Sequence, residues 1–186
     1  MRRRIRGTLA VAMAVSGVAT AAASGSVVEK GRFTGESYNY SYDCGFPVDV
    51  TGVASGNFRL REGTGDDATA FFSLDRVSFR EFHTNPETGQ WFSFSGHFAN
   101  NEVDARRVEG SLFELRSIKA GQVAVIRDSD GNLVSRDRGV IRPTILFDTG
   151  GDQEPGGEFV NLVDLDLAGP HPTFGRLCDV ASELIG

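Results

Sequence analysis

From Ser37 to Val53 the chain alternates. Tyr38, Tyr40, Tyr42, Cys44, Phe46, Val48 and Val50 are apolar or aromatic, and most positions between them are small or polar. A period of two marks a strand with one buried face. The parity runs from Gly35 past Pro47, longer than the usual strand of about 3–10 residues, so Gly45 and Pro47 predict a bend, a bulge or a corner between sheets. Gly52 and Gly56 bracket a predicted turn into a second strand over 57–61, with Phe58 and Leu60 inward. In 68–84 the pattern changes phase. Ala70, Phe72 and Leu74 share one parity and Val77 and Phe79 the other, which predicts a bulge near Asp75-Arg76. Asn85-Pro86-Glu87-Thr88-Gly89 predicts a hairpin loop, since Pro presets φ and Gly supplies a positive φ. The return strand, 90–99, places Phe92, Phe94 and Phe98 on one face and Trp91, Ser93, Ser95 and His97 on the other.

Asn100-Asn101 predicts another turn, followed by a long strand over 103–118 with a second parity shift around Leu112-Phe113. Asp128-Ser129-Asp130-Gly131, flanked by strand-like 122–127 and 132–136, is a hairpin signal. In 140–147, Pro143 implies an edge strand or a bulge. Residues 158–167 alternate, with Phe159, Val163, Leu165 and Leu167 inward and Asp164 and Asp166 outward. Only 177–185 has helical spacing, with Leu177, Ala181 and Leu184 or Ile185 on one face. Eight or nine strands in a run of hairpins, no βαβ alternation and one short C-terminal helix predict an all-β antiparallel fold. The long bulged strands favour a β-barrel, with a β-sandwich as the alternative.

The N-terminus changes the picture. Arg2, Arg3, Arg4 and Arg6 precede the short apolar run from Leu9 to Val18, and Ala21-Ala22-Ala23 supplies an A-x-A pattern. This predicts a secretory signal over 1–23, cut near Ala23, then a mobile polar leader over 24–32 and a single domain over 33–186. A twin-arginine route through Arg3-Arg4 is the minor alternative to general export. The apolar run falls short of the ~20 residues of a membrane span, and no later segment reaches that length. The signal removes four arginines and no acid, which moves the net charge from −6 to −10. An acidic body with no basic patch argues against nucleic acid and against anionic membrane surfaces. In an exported chain, two cysteines predict one disulfide, Cys44–Cys178.

Asp43-Cys44-Gly45-Phe46-Pro47-Val48, the Asp130-Gly131-Asn132 hairpin and the closing Leu177-Cys178-Asp179 with its small-residue helix resemble a largely uncharacterised group of small exported proteins common in actinobacteria. The resemblance implies a secreted β-rich domain with the same cysteine pairing, and no particular activity.

Catalytic and metal signatures are sparse. There is no G-x-S-x-G, S-x-x-K or H-E-x-x-H. His83 and His97 are predicted to approach across the 85–89 hairpin, with Glu81 as the available third ligand; an exposed polar pair is the ordinary reading. Asp128-Ser129-Asp130-Gly131-Asn132 lacks the acid that closes a calcium loop, because Gly139 stands there. The better hard-cation candidate is the Gly-rich loop carrying Asp148, Asp152, Glu154 and Glu158, although a solvated loop is its default. Asp164 and Asp166 share a face but read as outward charges on a half-buried strand rather than a glycosidase pair. No catalytic residue and no cofactor is assigned.

The aromatic supply carries the functional expectation. Phe58, Phe72, Phe92, Phe94, Phe98, Phe113, Phe147 and Phe159, with Tyr38, Tyr40 and Tyr42, either fill a barrel or line a pocket for one small apolar ligand, the lining candidates being Phe58, Phe72, Phe92, Phe94, Phe98, Tyr40 and Tyr42. The leading expectation is a monomeric, secreted, non-enzymatic binding module, its partner a small apolar ligand or an extracellular protein. One alternative is a small barrel isomerase or cyclase acting on a lipid-like substrate; another is a surface-interaction or toxin-like protein.

Overall fold

The period-two pattern is realised as a single antiparallel sheet. The computed structural model describes residues 27–63, 71–151 and 156–186. Within them lie β1 (Val27–Asp43), β2 (Pro47–Glu62), β3 (Phe71–Thr84), β4 (Trp91–Glu109), β5 (Leu112–Arg127), β6 (Leu133–Asp148), β7 (Glu158–Ala168) and α1 (Leu177–Ile185). Each strand pairs with the next, so the spatial order is the chain order. The sheet is not closed, and β1 and β7 are its two edges. The antiparallel all-β fold and the terminal helix are as expected; among the described residues there is neither the closure that defines a barrel nor the second sheet of a sandwich.

Several boundaries move, each for a physical reason. Cys44–Phe46 is a tight turn between two strands rather than a bend within one. Gly45 takes φ +93° there and its N–H donates to Asp43 Oδ1 at 2.6 Å. Gly52 and Gly56 lie inside β2, in register with Tyr38 and Phe33 of β1. Asn100-Asn101 lies inside β4, and the chain reverses at Gly110, where φ is +54°. The strand expected over 103–118 is therefore two strands meeting at that reversal. β3 is unbroken against both neighbours, without the bulge expected at Asp75-Arg76; Leu74 and Val77 simply occupy opposite faces. Pro143 lies in an internal strand, where the ladder to β5 passes from Arg116↔Thr144 to Lys119↔Ile141, a gap that accommodates its missing N–H. β1 begins at Val27, so 27–32 are strand rather than mobile leader. Residues 1–26, which carry the expected signal segment, lie outside the described residues.

The buried residues fall into two groups at opposite ends of the strands. At the end carrying the β1–β2, β3–β4 and β5–β6 turns, Val180, Ala181 and Ile185 of α1 pack on Val48, Phe92 and Ile126. The face that α1 covers is called the inner face here. At the other end Ala105, Phe113 and Leu115 form a second cluster with Phe72, Ile145 and Phe147. Cys44–Cys178 pins the start of α1, and Asn85 Nδ2 donates to the Ile185 carbonyl at 2.8 Å to pin its end. Among the described residues β7 has no strand beyond it. Phe159 and Val163, expected inward, are 61% and 49% exposed.

Candidate functional site

Between the two buried clusters, the middle of the inner face is floored by rings laid across glycines. Phe58 lies over Gly31, Tyr38 over Gly52, Phe33 over Gly56 and Phe79 over Gly96, each ring directly opposite its glycine in register. A Cβ on any of these four glycines would meet ring carbons at 2.5–2.7 Å. None of these four has a positive φ, so what requires glycine is close approach rather than backbone conformation. Phe79 also contacts Phe94 and Phe98, at centroid distances of 5.3 and 6.3 Å. Phe33, Phe58, Phe79 and Phe98 are half-buried and belong to neither core cluster.

Toward α1 this aromatic floor meets a polar network. In one register row, Tyr38, Gly52 and Glu81 stand side by side on β1, β2 and β3. Because Gly52 has no side chain, the Tyr38 ring crosses it and donates its hydroxyl to Glu81 Oε1 at 2.8 Å. Tyr40 donates to Glu81 Oε2 at 3.5 Å. His83 is fully buried, stacked on Phe92 at 4.7 Å, with Nε2 3.0 Å from Glu81 Oε2 and Nδ1 2.9 Å from the Tyr42 hydroxyl. A neutral imidazole protonated on Nε2 fits both contacts, since it donates to the carboxylate and accepts from Tyr42. The buried Glu81 thus collects three donors, the condition for burying a carboxylate.

Burial is the main force that pushes the hydroxyl pKa of all three tyrosines well above its usual value. For Tyr38 the Glu81 hydrogen bond comes next, for Tyr40 the Glu81 charge, and for Tyr42 the neighbouring Tyr40. The unfolded value is about 10. A folded pKa above it means that the stability carried by the neutral hydroxyls is complete below that pH and is lost as pH rises beyond it. These are the only three tyrosines in the chain, which makes the consequence easy to read. Phenolate absorbance should stay absent from the folded protein through pH ~10 and should rise together with loss of the β-sheet circular dichroism signal. A phenolate titration centred near pH ~10 in the still-folded protein would contradict the network.

Away from α1 the floor meets a second polar group. Asp75 accepts from Ser73 Oγ at 2.9 Å and Asn100 Nδ2 at 3.4 Å, and Glu102 accepts from the Ser73 N–H at 2.6 Å. Lys119 Nζ lies over the Phe98 ring, 4.8 Å from its centroid. Burial lowers the Lys119 pKa, with Asp75 opposing, and burial raises that of Glu102.

The expected ligand-lining residues separate. Phe92 is wholly within the helix-covered core, with Phe94 and Tyr42 packed against it. Phe72 packs at the opposite end. Tyr40 and Tyr42 turn their hydroxyls to Glu81 and His83, and Phe58 and Phe98 remain on the open floor. Phe33, Tyr38 and Phe79 join them there; the sequence reading counted Tyr38 among the lining aromatics but neither Phe33 nor Phe79, whose partner glycines were the available signal. His83 and His97 do not meet, because His83 pairs with Phe92 on the inner face and His97 with Ser78 on the outer one. Among the proposed cation ligands, Asp148 accepts from the Gly150 N–H at 2.9 Å and pairs across strands with the exposed Glu158. Asp152 and Glu154 lie outside the described residues. Among the described residues no group of three or more His, Cys, Asp or Glu side chains is placed to hold a metal.

The outer face differs from what the linear charge pattern suggests. Lys30 stands opposite Arg59, and Arg32, Asn57 and Arg76 form one cross-strand row. Arg61 and Arg80 extend this basic area along β2 and β3. An open groove of about 560 Å³ at mid-length of β1–β5 is lined by residues of both faces, Arg32, Asn57, Arg76 and His97 of the outer one and Phe33 and Phe98 of the inner one. No protein family, curated protein or solved structure matches this chain.

Proposed function

We propose that this protein is an extracellular binding module that takes up a small apolar ligand on the middle of its inner face. The observation that carries the reading is the ring floor itself. Half-buried aromatic side chains lie between two closed clusters, with no described element packed over them. Such surface loses free energy when an apolar molecule covers it, by roughly 25 cal/mol per Å². The ligand class is apolar, because the floor offers ring surface and the carboxylates at its two ends, Glu81 and Asp75, already accept from neighbouring side chains. The open meander serves as half of the expected barrel, and the ligand takes the place of the missing wall. The Cys44–Cys178 disulfide and the absence of a membrane-crossing helix among the described residues are compatible with an exported protein.

N-phenyl-1-naphthylamine, an uncharged fluorophore that brightens in apolar surroundings, tests the reading. We expect saturable binding, weakened about tenfold by Phe79→Ala or Phe98→Ala, the effect of losing ~1.4 kcal/mol of ring contact. Phe82→Ala, on the outer face, should leave it unchanged. Saturable binding that neither inner-face variant alters would overturn the assignment.

The Glu81–His83 pair supports a second reading, proton transfer on a lipid-like substrate by an isomerase or cyclase. Glu81→Gln keeps the shape of the side chain and removes its charge, so turnover of such a substrate should vanish while probe binding persists.

A further inference from the structure

We infer that the outer face of β1–β3 is a docking surface for an anionic lipid bilayer. The inference is independent of the inner-face ligand. It starts from how strand pairing sorts charge. Lys30, Arg32, Arg59, Arg61, Arg76 and Arg80 all occupy outer-face positions of three adjacent strands, and all are exposed. None of the six makes an ion pair or a side-chain hydrogen bond with any described residue. The acids of the same strands are sorted the other way. Glu29, Glu36, Glu62, Asp75 and Glu81 are in register with inner-face positions. Only Asp43 and Asp49 share the outer face, at the α1 end. A protein of net charge −6 therefore carries a contiguous cationic face of six groups.

Charge complementarity calls for a polyanion, and the rest of the face selects a lipid surface. Same-face residues on a strand repeat every ~7 Å and strands every ~4.8 Å, so the cations are spread in two dimensions over three strands rather than strung along one line. Toward α1 the same face carries Val53 and Phe82, 47% and 39% exposed, with Trp91 edge-on to Phe82 at 5.4 Å. A cluster of arginines with a Trp and a Phe at one end suits a membrane interface, where cations meet the headgroups and aromatic rings reach just beneath them.

Flotation of the purified chain with vesicles of phosphatidylglycerol, against vesicles of phosphatidylcholine, tests the surface. Binding to phosphatidylglycerol alone is expected, falling steeply as salt rises. Arg59→Gln, Arg61→Gln and Arg76→Gln combined should weaken it about a hundredfold, taking roughly a fivefold loss per cation. These are exposed side chains, so the triple variant should keep the thermal midpoint of the parent, which separates lost docking from lost fold. Equal affinity for both vesicles, binding indifferent to the triple variant, or binding to single-stranded DNA with none to phosphatidylglycerol would each overturn the inference.

Discussion

Replacing Cys44 and Cys178 together by serine should lower the stability of the chain by about 5 kcal/mol on the chain-entropy account of cross-links. The bond joins residues 134 apart in sequence, so the ring it closes includes nearly the whole described sheet. Domains of this size commonly have about 5–15 kcal/mol in total. The loss should shift the thermal midpoint down by about 10–20 °C. The local consequence follows from the length of α1. Its 9 residues are too few to hold a helix alone. Without the disulfide, it rests on Val180, Ala181 and Ile185 against Val48, Phe92 and Ile126, and on Asn85. Release of α1 exposes Phe92 and His83 to water. Chemical denaturation of the oxidised protein and the double-serine variant gives the comparison, and coincident midpoints would contradict it.

The second large effect has a sign that tests the ring–glycine floor. Valine is a better strand residue than glycine by ~0.5–1 kcal/mol, so propensity alone has Gly52→Val stabilise the protein. The structure predicts the opposite. A Cβ at position 52 would stand 2.5 Å from the Tyr38 ring, so the ring must lift. Overpacking of this kind costs about 1–3 kcal/mol. Lifting the ring also removes the Tyr38 hydroxyl from Glu81, which leaves a buried carboxylate oxygen one donor short at a further ~1–3 kcal/mol. A destabilisation of ~3 kcal/mol or more is expected, measured as the shift in urea midpoint. The adjacent Val53→Thr, exposed on the outer face, should change stability by less than ~0.5 kcal/mol. Stabilisation by Gly52→Val would show that the ring does not lie over the glycine.

The particular elements explain what the sequence could and could not show. The alternation of Tyr38 to Val50 correctly announced strands, the 3.6 spacing of 177–185 announced α1 to the residue, and export logic announced Cys44–Cys178. Strand ends were less legible. Glycine with a positive φ marks a turn at Gly45 and Gly110 but lies inside strands at Gly35, Gly121 and Gly139, and at Gly52 and Gly56 glycine marks close approach of a ring. A sequence does not distinguish the two uses until the partner strand is known. The count of eight or nine strands came from dividing β2, β4, β5 and β6 at such points while joining β1 to β2 and β4 to β5 across their true turns. Glu81 and His83 lay in view as potential metal ligands beside His97, yet their partners are tyrosines 41–43 residues away, supplied by β1 across β2. The basic face was hidden by its own alternation. Glu29-Lys30, Arg61-Glu62 and Asp75-Arg76 are neutral pairs along the chain and opposite faces in the sheet. Only the register turns a balanced sequence into a two-sided one.

The account stands on the inner-face floor being open to a ligand. Native mass spectrometry of the protein recovered from the cells that make it, repeated after denaturation, addresses this directly. The account predicts a native mass above that of the oxidised chain, with the excess lost on denaturation and absent after Phe79→Ala with Phe98→Ala. A native mass equal to the oxidised chain, from cells and also after incubation with excess N-phenyl-1-naphthylamine, would contradict it.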